Sequence, residues 1–152
     1  MKGRRWKKYL YKNKYEGDCQ LVSIVNAYYY LTGKTVKDEV YDELVEMCGC
    51  VAGACIEISK AIAYLDLQEV ERYLYLVPYV PLEINVWHKF FGFHSVLAVG
   101  WSQRLDAYRI LNFKHVTSSN GWIFREDLMH FTIQNPDKDT PRWMCRTIGL
   151  RK

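Results

Sequence analysis

Cys19, His94 and Asn112 are the residues of this 152-residue chain whose types and surroundings suit nucleophilic chemistry. Cys19 stands in GDCQLVSIVNAYYYLTGK, where the apolar run begins only after the cysteine, so the thiol falls at the expected N-terminus of a helix. His94 opens HSVLAVG and Asn112 closes AYRILN, at the expected start of one strand and the end of the next. Thiolate is the reactive form of cysteine, and the partial positive charge at a helix N-terminus favours it. An imidazole beside the thiol takes its proton and later returns it to a leaving group, while a side-chain amide fixes which ring nitrogen faces the sulfur. Cys19 is therefore expected to titrate well below a free thiol, between about 3.5 and 7.5.

The competing groups are weaker. Cys48, Cys50 and Cys55 in CGCVAGAC lack a close fourth ligand for zinc, and the small residues around them read as tight packing. No metal and no cofactor is expected. His88, between Trp87 and Lys89, suits an exposed turn; His115 and His130 lack a strand context. Asp18 reads as the N-cap of the helix that Cys19 opens.

The elements that must position these residues divide by half. Apolar residues from Leu21 to Leu31 mark the first helix, and Gly33 ends it. Thr35 followed by Asp38 resembles a second helix start, with Val36, Val40, Leu44 and Met47 on one face. A third helix is expected over residues 55–65, with Ile56, Ile58, Ile62 and Leu65 inward. Strands are expected over residues 69–77, 82–87, 93–101, 108–113 and 142–150, with a turn at 118–121 and a short helix at 125–131. Helices first and an antiparallel sheet second give an α+β domain, with Cys19 on the helical side of a cleft and His94 and Asn112 on the sheet side.

Composition bounds the reading. Apolar residues are 49% and charged residues 25%, which suits a single globular domain over 1–152 and not a disordered chain. Aromatics reach 15%, with twelve Tyr and five Trp, as in strand-rich packing or a ring-lined cleft. The net charge of +4 leans on a basic N-terminal arm, 1–12, inside a stretch carrying seven Lys or Arg in fourteen residues. One short basic run is a weak electrostatic footprint, so a nucleic-acid partner is disfavoured. No apolar run reaches the ~18 residues of a membrane span, and no secretory signal pattern opens the chain. Five cysteines, an odd number, and the lack of a glycosylation sequon point to free thiols in a reducing, cytoplasmic setting. Oligomeric state is left open.

With these residues in view, the chain resembles the papain-fold cysteine peptidases, and among them the bacteriocin-leader (double-glycine) peptidase group and its relatives. The resemblance runs from Asn13 to the C-terminus. It rests on Asp18-Cys19 opening a helix with an aromatic-rich end closed by Gly33, on His94 to Gly100 as His-x-apolar-apolar-apolar-apolar-Gly, and on Asn112 ending the next strand. It implies a papain-like α+β fold and peptide-bond cleavage through a Cys19 thioester, with His94 as general base and then acid and Asn112 orienting it. Papain-like enzymes carry Gln six residues before the nucleophile as an oxyanion donor; here Asn13 holds that position, one methylene shorter. Gln20 stands where the leader peptidases have Gly. Phe113 and Trp122 are expected to shield the Asn–His contact. The implied partner is a peptide or protein substrate. The alternatives are a catalytically impaired module that binds peptides or a protein, and an acyl or peptidyl transferase using the same site. The compact chain suits a phage-encoded or bacterial accessory protein.

Overall fold

A computed structural model of the chain describes residues 14, 15, 17–51, 54, 55, 57–71, 78–90, 92–113, 116–118, 120–132 and 145–151. Asn13, the basic arm, Ile56, His115 and residues 72–77 and 142–144 lie outside them. The first half supplies helices α1 (Cys19–Thr32), α2 (Asp38–Cys48) and α3 (Ile58–Tyr64), with a short hairpin of β1 (Cys50–Val51) and β2 (Ala54–Cys55) between the last two. The second half supplies β3 (Leu67–Glu71), β4 (Leu82–His88), β5 (Gly92–Ser102), β6 (Ala107–Leu111), β7 (Trp122–Phe124), α4 (Arg125–Phe131) and β8 (Cys145–Leu150). The six long-range strands pair antiparallel in the order β3-β8-β4-β5-β6-β7, so the domain is α+β.

Two apolar clusters lie on the two faces of the sheet. Leu97, Val99 and Ile148 face a cluster with Leu21, Val22 and Ile24 of α1, Leu44 of α2 and Ile62 of α3. Val96, Ala98, Leu82 and Ile84 point the other way, toward Tyr108, Phe113 and Leu128. Because successive strand residues alternate faces and both are covered, residues 95–99 of β5 are all buried. That explains why HSVLAVG is a continuous apolar run rather than an alternating one.

Local chemistry accounts for most boundaries and for the corrections. Gly33 closes α1 with φ 73°, the left-handed conformation that glycine adopts without Cβ cost. In α2 the buried stripe is Tyr41, Leu44 and Cys48, whereas Met47 is exposed and Val36 is buried ahead of the helix. Thr35 is not its cap: Lys37 holds that place, and Asp38 and Glu39 supply first-turn charge that suits the helix dipole. Cys50 and Cys55 are paired as a disulfide across β1–β2, so the expectation that every thiol is free fails there. The strand register places the two directly opposite, which spacing in sequence alone did not reveal. Cys19, Cys48 and Cys145 are buried and keep their thiols.

A buried carboxylate in the sheet is paired with a half-buried arginine. Glu83 is 1% exposed, and Arg146 on the neighbouring strand reaches its Oε1 at 3.1 Å and Glu69 at 3.6 Å. Burial pushes the Glu83 carboxyl up while Arg146 pulls it down. Removing one member of such a pair leaves an uncompensated interior charge. Arg146→Leu should therefore cost about 3 kcal/mol or more in urea unfolding, and adding Glu83→Gln should recover part of it. A loss under about 1 kcal/mol would place the pair in the class of exposed ion pairs instead.

Candidate active site

Cys19 is the first residue of α1, and no side chain caps that helix. Asp18, the expected cap, is buried and turns its carboxylate backward. Its Oδ2 accepts the backbone N–H of Lys14 at 3.0 Å and of Tyr15 at 3.2 Å, and the Tyr41 hydroxyl of α2 donates to the same oxygen. The reason is backbone geometry: Asp18 sits at φ −94°, ψ 11°, away from the extended conformation of a capping residue. Asp18 thus fastens the loop ahead of Cys19 and does not cap the first turn of α1.

The Cys19 sulfur uses two backbone donors. The N–H groups of Gln20 and Ser95 both favour its thiolate, and Ser95 directly follows His94 on β5. The first turn of α1 is clamped to the sheet at this point. Ser23 and Ser95 hydroxyls meet at 3.0 Å, the Ser95 hydroxyl donates to Glu83 Oε2 at 2.6 Å, and Gln20 Nε2 reaches Asn85 Oδ1 at 3.5 Å. Cys19 is 6% exposed, and burial outweighs the two donors, with Glu83 and Asp18 adding like-charge repulsion. Its thiol is pushed up, not down. The expectation of a depressed thiol is corrected here: a helix N-terminus contributes a partial charge, but desolvation of the anion is the larger effect.

His94 Nε2 lies 2.6 Å from the Asn112 backbone carbonyl. A carbonyl can only accept, so Nε2 carries the ring proton and Nδ1 is the basic nitrogen of the neutral imidazole. Asn112 was expected to orient His94 through its amide; this contact is made by its main chain. Asn112 has φ 66°, a left-handed conformation that Asn tolerates better than most residues, and this aims the carbonyl at the ring. Burial pushes the His94 imidazole down, against a smaller upward pull from Asn112. Strand alternation sends the Ser95 hydroxyl toward α1 and the His94 ring toward the buried Phe113, centroid to centroid 6.3 Å.

Phe113 meets Phe131 edge-on at 5.8 Å, so the second ring of this wall comes from α4. Trp122 is not part of it. On β7 it pairs with Arg109 of β6 and packs its ring over Gly100, where an added Cβ would meet it at 3.6 Å. Gly100 is six residues beyond His94, roughly 20 Å along the strand. His88 is engaged elsewhere: its Nδ1 accepts the Phe90 N–H at 3.2 Å and its ring stacks on Phe131. Asn13 lies outside the described residues, but Lys14 and Tyr15, next to it, are the two whose N–H groups Asp18 holds.

Among the described residues, no group of three or more His, Cys, Asp or Glu is placed to hold a metal ion. None of the helices there is long and apolar enough to cross a membrane. No protein-family model and no curated protein matches the sequence. Sequence reasoning missed Ser95, Glu83, Tyr41 and Phe131. Glu83 alternates with Leu82 and Ile84 in the sequence and reads as solvent-facing, since nothing in the strand says that α1 covers that side.

Two outcomes follow from this geometry. Burial keeps Cys19 a thiol to higher pH and His94 neutral to lower pH, so thiolate appears on the alkaline side. Alkylation of Cys19 by iodoacetamide should rise with a midpoint above about 8.5, and a midpoint below that would mean a thiolate–imidazolium pair in the resting protein. Asn112→Gly keeps both the left-handed backbone and the carbonyl, so His94-dependent activity should stay within about tenfold of wild type. A loss of about 100-fold or more would return the orienting role to the amide.

Proposed function

We propose that the protein is a papain-like cysteine peptidase. The observation that carries this reading is the Cys19 sulfur at the start of α1 held by the backbone of Ser95, the residue that follows His94 on β5, together with a His94 ring fixed with Nδ1 as its basic nitrogen. Cys19 Sγ attacks a peptide carbonyl carbon as His94 Nδ1 takes the thiol proton, directly or through one water. The C–N bond then breaks, and His94 gives the proton to the leaving amine. Water attacks the thioester, His94 accepts its proton, and the proton returns to sulfur as the acid departs. The Cys19 N–H and the Asn13 amide would meet the oxyanion, the second on a stem shorter than the family's Gln. A double-glycine leader is the substrate that the sequence resemblance suggests.

The neutral pair is compatible with this chemistry, because a general base needs only to be unprotonated when the thiol attacks. One observation favours a second reading. A thiol that is 6% exposed and pushed up by burial also fits a peptidase-fold module that binds peptides without cleaving them.

Mass spectrometry of a peptide library incubated with the protein separates the two. Wild type should cleave, Cys19→Ala should be inactive, and His94→Ala should fall by about 1000-fold or more, because attack then loses its base. Equal cleavage by wild type and Cys19→Ala would assign the activity to a contaminant and leave the binding module.

A further inference from the structure

Glu83 is a buried carboxylate for which the proposed chemistry has no use, and it lies on the side of the sheet that seats α1. Glu83 and Asn85 share that side of β4, since Leu82, Ile84 and Val86 join the opposite cluster. β5 sets Ser95 directly opposite Asn85. The Ser95 hydroxyl donates to Oε2, Arg146 lies against Oε1, and the Asn85 side-chain amide donates to the same carboxylate. Because the Ser95 proton goes to Glu83, Ser23 is the donor where the two hydroxyls meet.

The Asn85 amide is used at both ends. Its N–H group turns to Glu83, which leaves Oδ1 to accept Gln20 Nε2 at 3.5 Å. Glu83 therefore holds both residues on which the first turn of α1 stands. The backbone N–H groups at the Cys19 sulfur belong to Ser95 and Gln20. One of these residues is fixed by Glu83 directly, the other through Asn85. Stability gives little reason for a charge here, since replacing a buried ion pair with apolar residues is often neutral or stabilising. A carboxylate does what an apolar residue could not: its two oxygens fix a hydroxyl and an amide that could otherwise rotate.

We propose that Glu83 is the positioning residue of the candidate site, setting through Ser95 and Asn85 both backbone donors that hold the Cys19 sulfur. This rests on Cys19 being the nucleophile of the peptidase reading and adds the group that tunes it. The charged and titratable neighbours are Arg146 of β8 and Glu69 of β3 at the carboxylate, and Asp18, Glu83 and Tyr41 of α2 at the thiol.

The test uses the full chain and two variants. In Glu83→Gln a single carbonyl oxygen is left for the donors of Ser95, Asn85 and Arg146. Amide hydrogen exchange at Gln20 and Ser95 should then quicken by about tenfold or more, while Ala98 and Ile110 of the β5–β6 pair keep their rates. Asn85→Ala cuts the Gln20 branch alone and keeps the carboxylate. Exchange should quicken at Gln20 but not at Ser95. The iodoacetamide midpoint of Cys19 should rise by about 0.5 pH unit, because one donor to the thiolate is lost. Leu128→Ala, in the opposite cluster, controls for lost stability: Tm should fall with the midpoint unmoved. Unchanged Gln20 exchange in either variant, or a midpoint that moves equally in Leu128→Ala, overturns the proposal. Peptide cleavage by wild type is scored separately. The expected shifts without any cleavage leave Glu83 standing and remove the peptidase; cleavage with exchange and midpoint unshifted does the reverse.

Discussion

The seating of the first turn of α1 on β5 is made by polar groups, in a region where a neighbouring cluster is wholly apolar. Ser23, Ser95, Glu83 and Arg146 form a continuous chain of hydrogen bonds and charge contacts under the helix, with Ser95 fully buried and Glu83 nearly so. Buried polar groups are costly unless each finds its partner, so this chain tolerates one register and few others. Slipping β5 by one residue would send Ser95 to the Phe113 side and leave Ser23 and Glu83 without it. Apolar packing fixes that α1 covers the sheet; the polar chain fixes where it starts, and the position of Cys19 depends on that.

The loop ahead of Cys19 is held by a related device. Asp18 gathers two backbone N–H groups and the Tyr41 hydroxyl, tying residues 14 and 15 to α2. Below it, Cys55 Sγ of the β1–β2 disulfide lies 3.7 Å from the Gly17 carbonyl, a packing contact because a bonded sulfur has no proton to donate. Lys14 and the Tyr15 hydroxyl both reach Asp42 at the surface, where such contacts contribute little stability but add direction. Two separate elements, α2 and the β1–β2 hairpin, therefore converge on the segment leading into Cys19.

Burial sets the resting state of the thiol and the imidazole. Each is shielded from water, and each is shifted toward its neutral form. The backbone donors of Gln20 and Ser95 hold the sulfur, and the Asn112 carbonyl fixes the His94 tautomer.

The placement of Cys19, His94 and Asn112 at or near the ends of elements was legible in the sequence because each sits where one local period gives way to another: a loop to a helix, a turn to a strand, a strand to a turn. Such boundaries are set by near neighbours, as Gly33 sets the end of α1. The α+β class was legible for the same reason. What each of those residues contacts was not. Asn112 meets His94 through its carbonyl because its backbone turns left-handed, Asp18 faces the preceding loop rather than its own helix, and Trp122 packs over Gly100, far from His94. Glu83 looks like a surface charge in its strand and is buried, with the half-buried Arg146 of the neighbouring strand against it. Local propensity depends on residues a turn apart. Burial, desolvation and the partner of a charge depend on residues far apart in the chain, and only the assembled sheet and helices decide which of those meet.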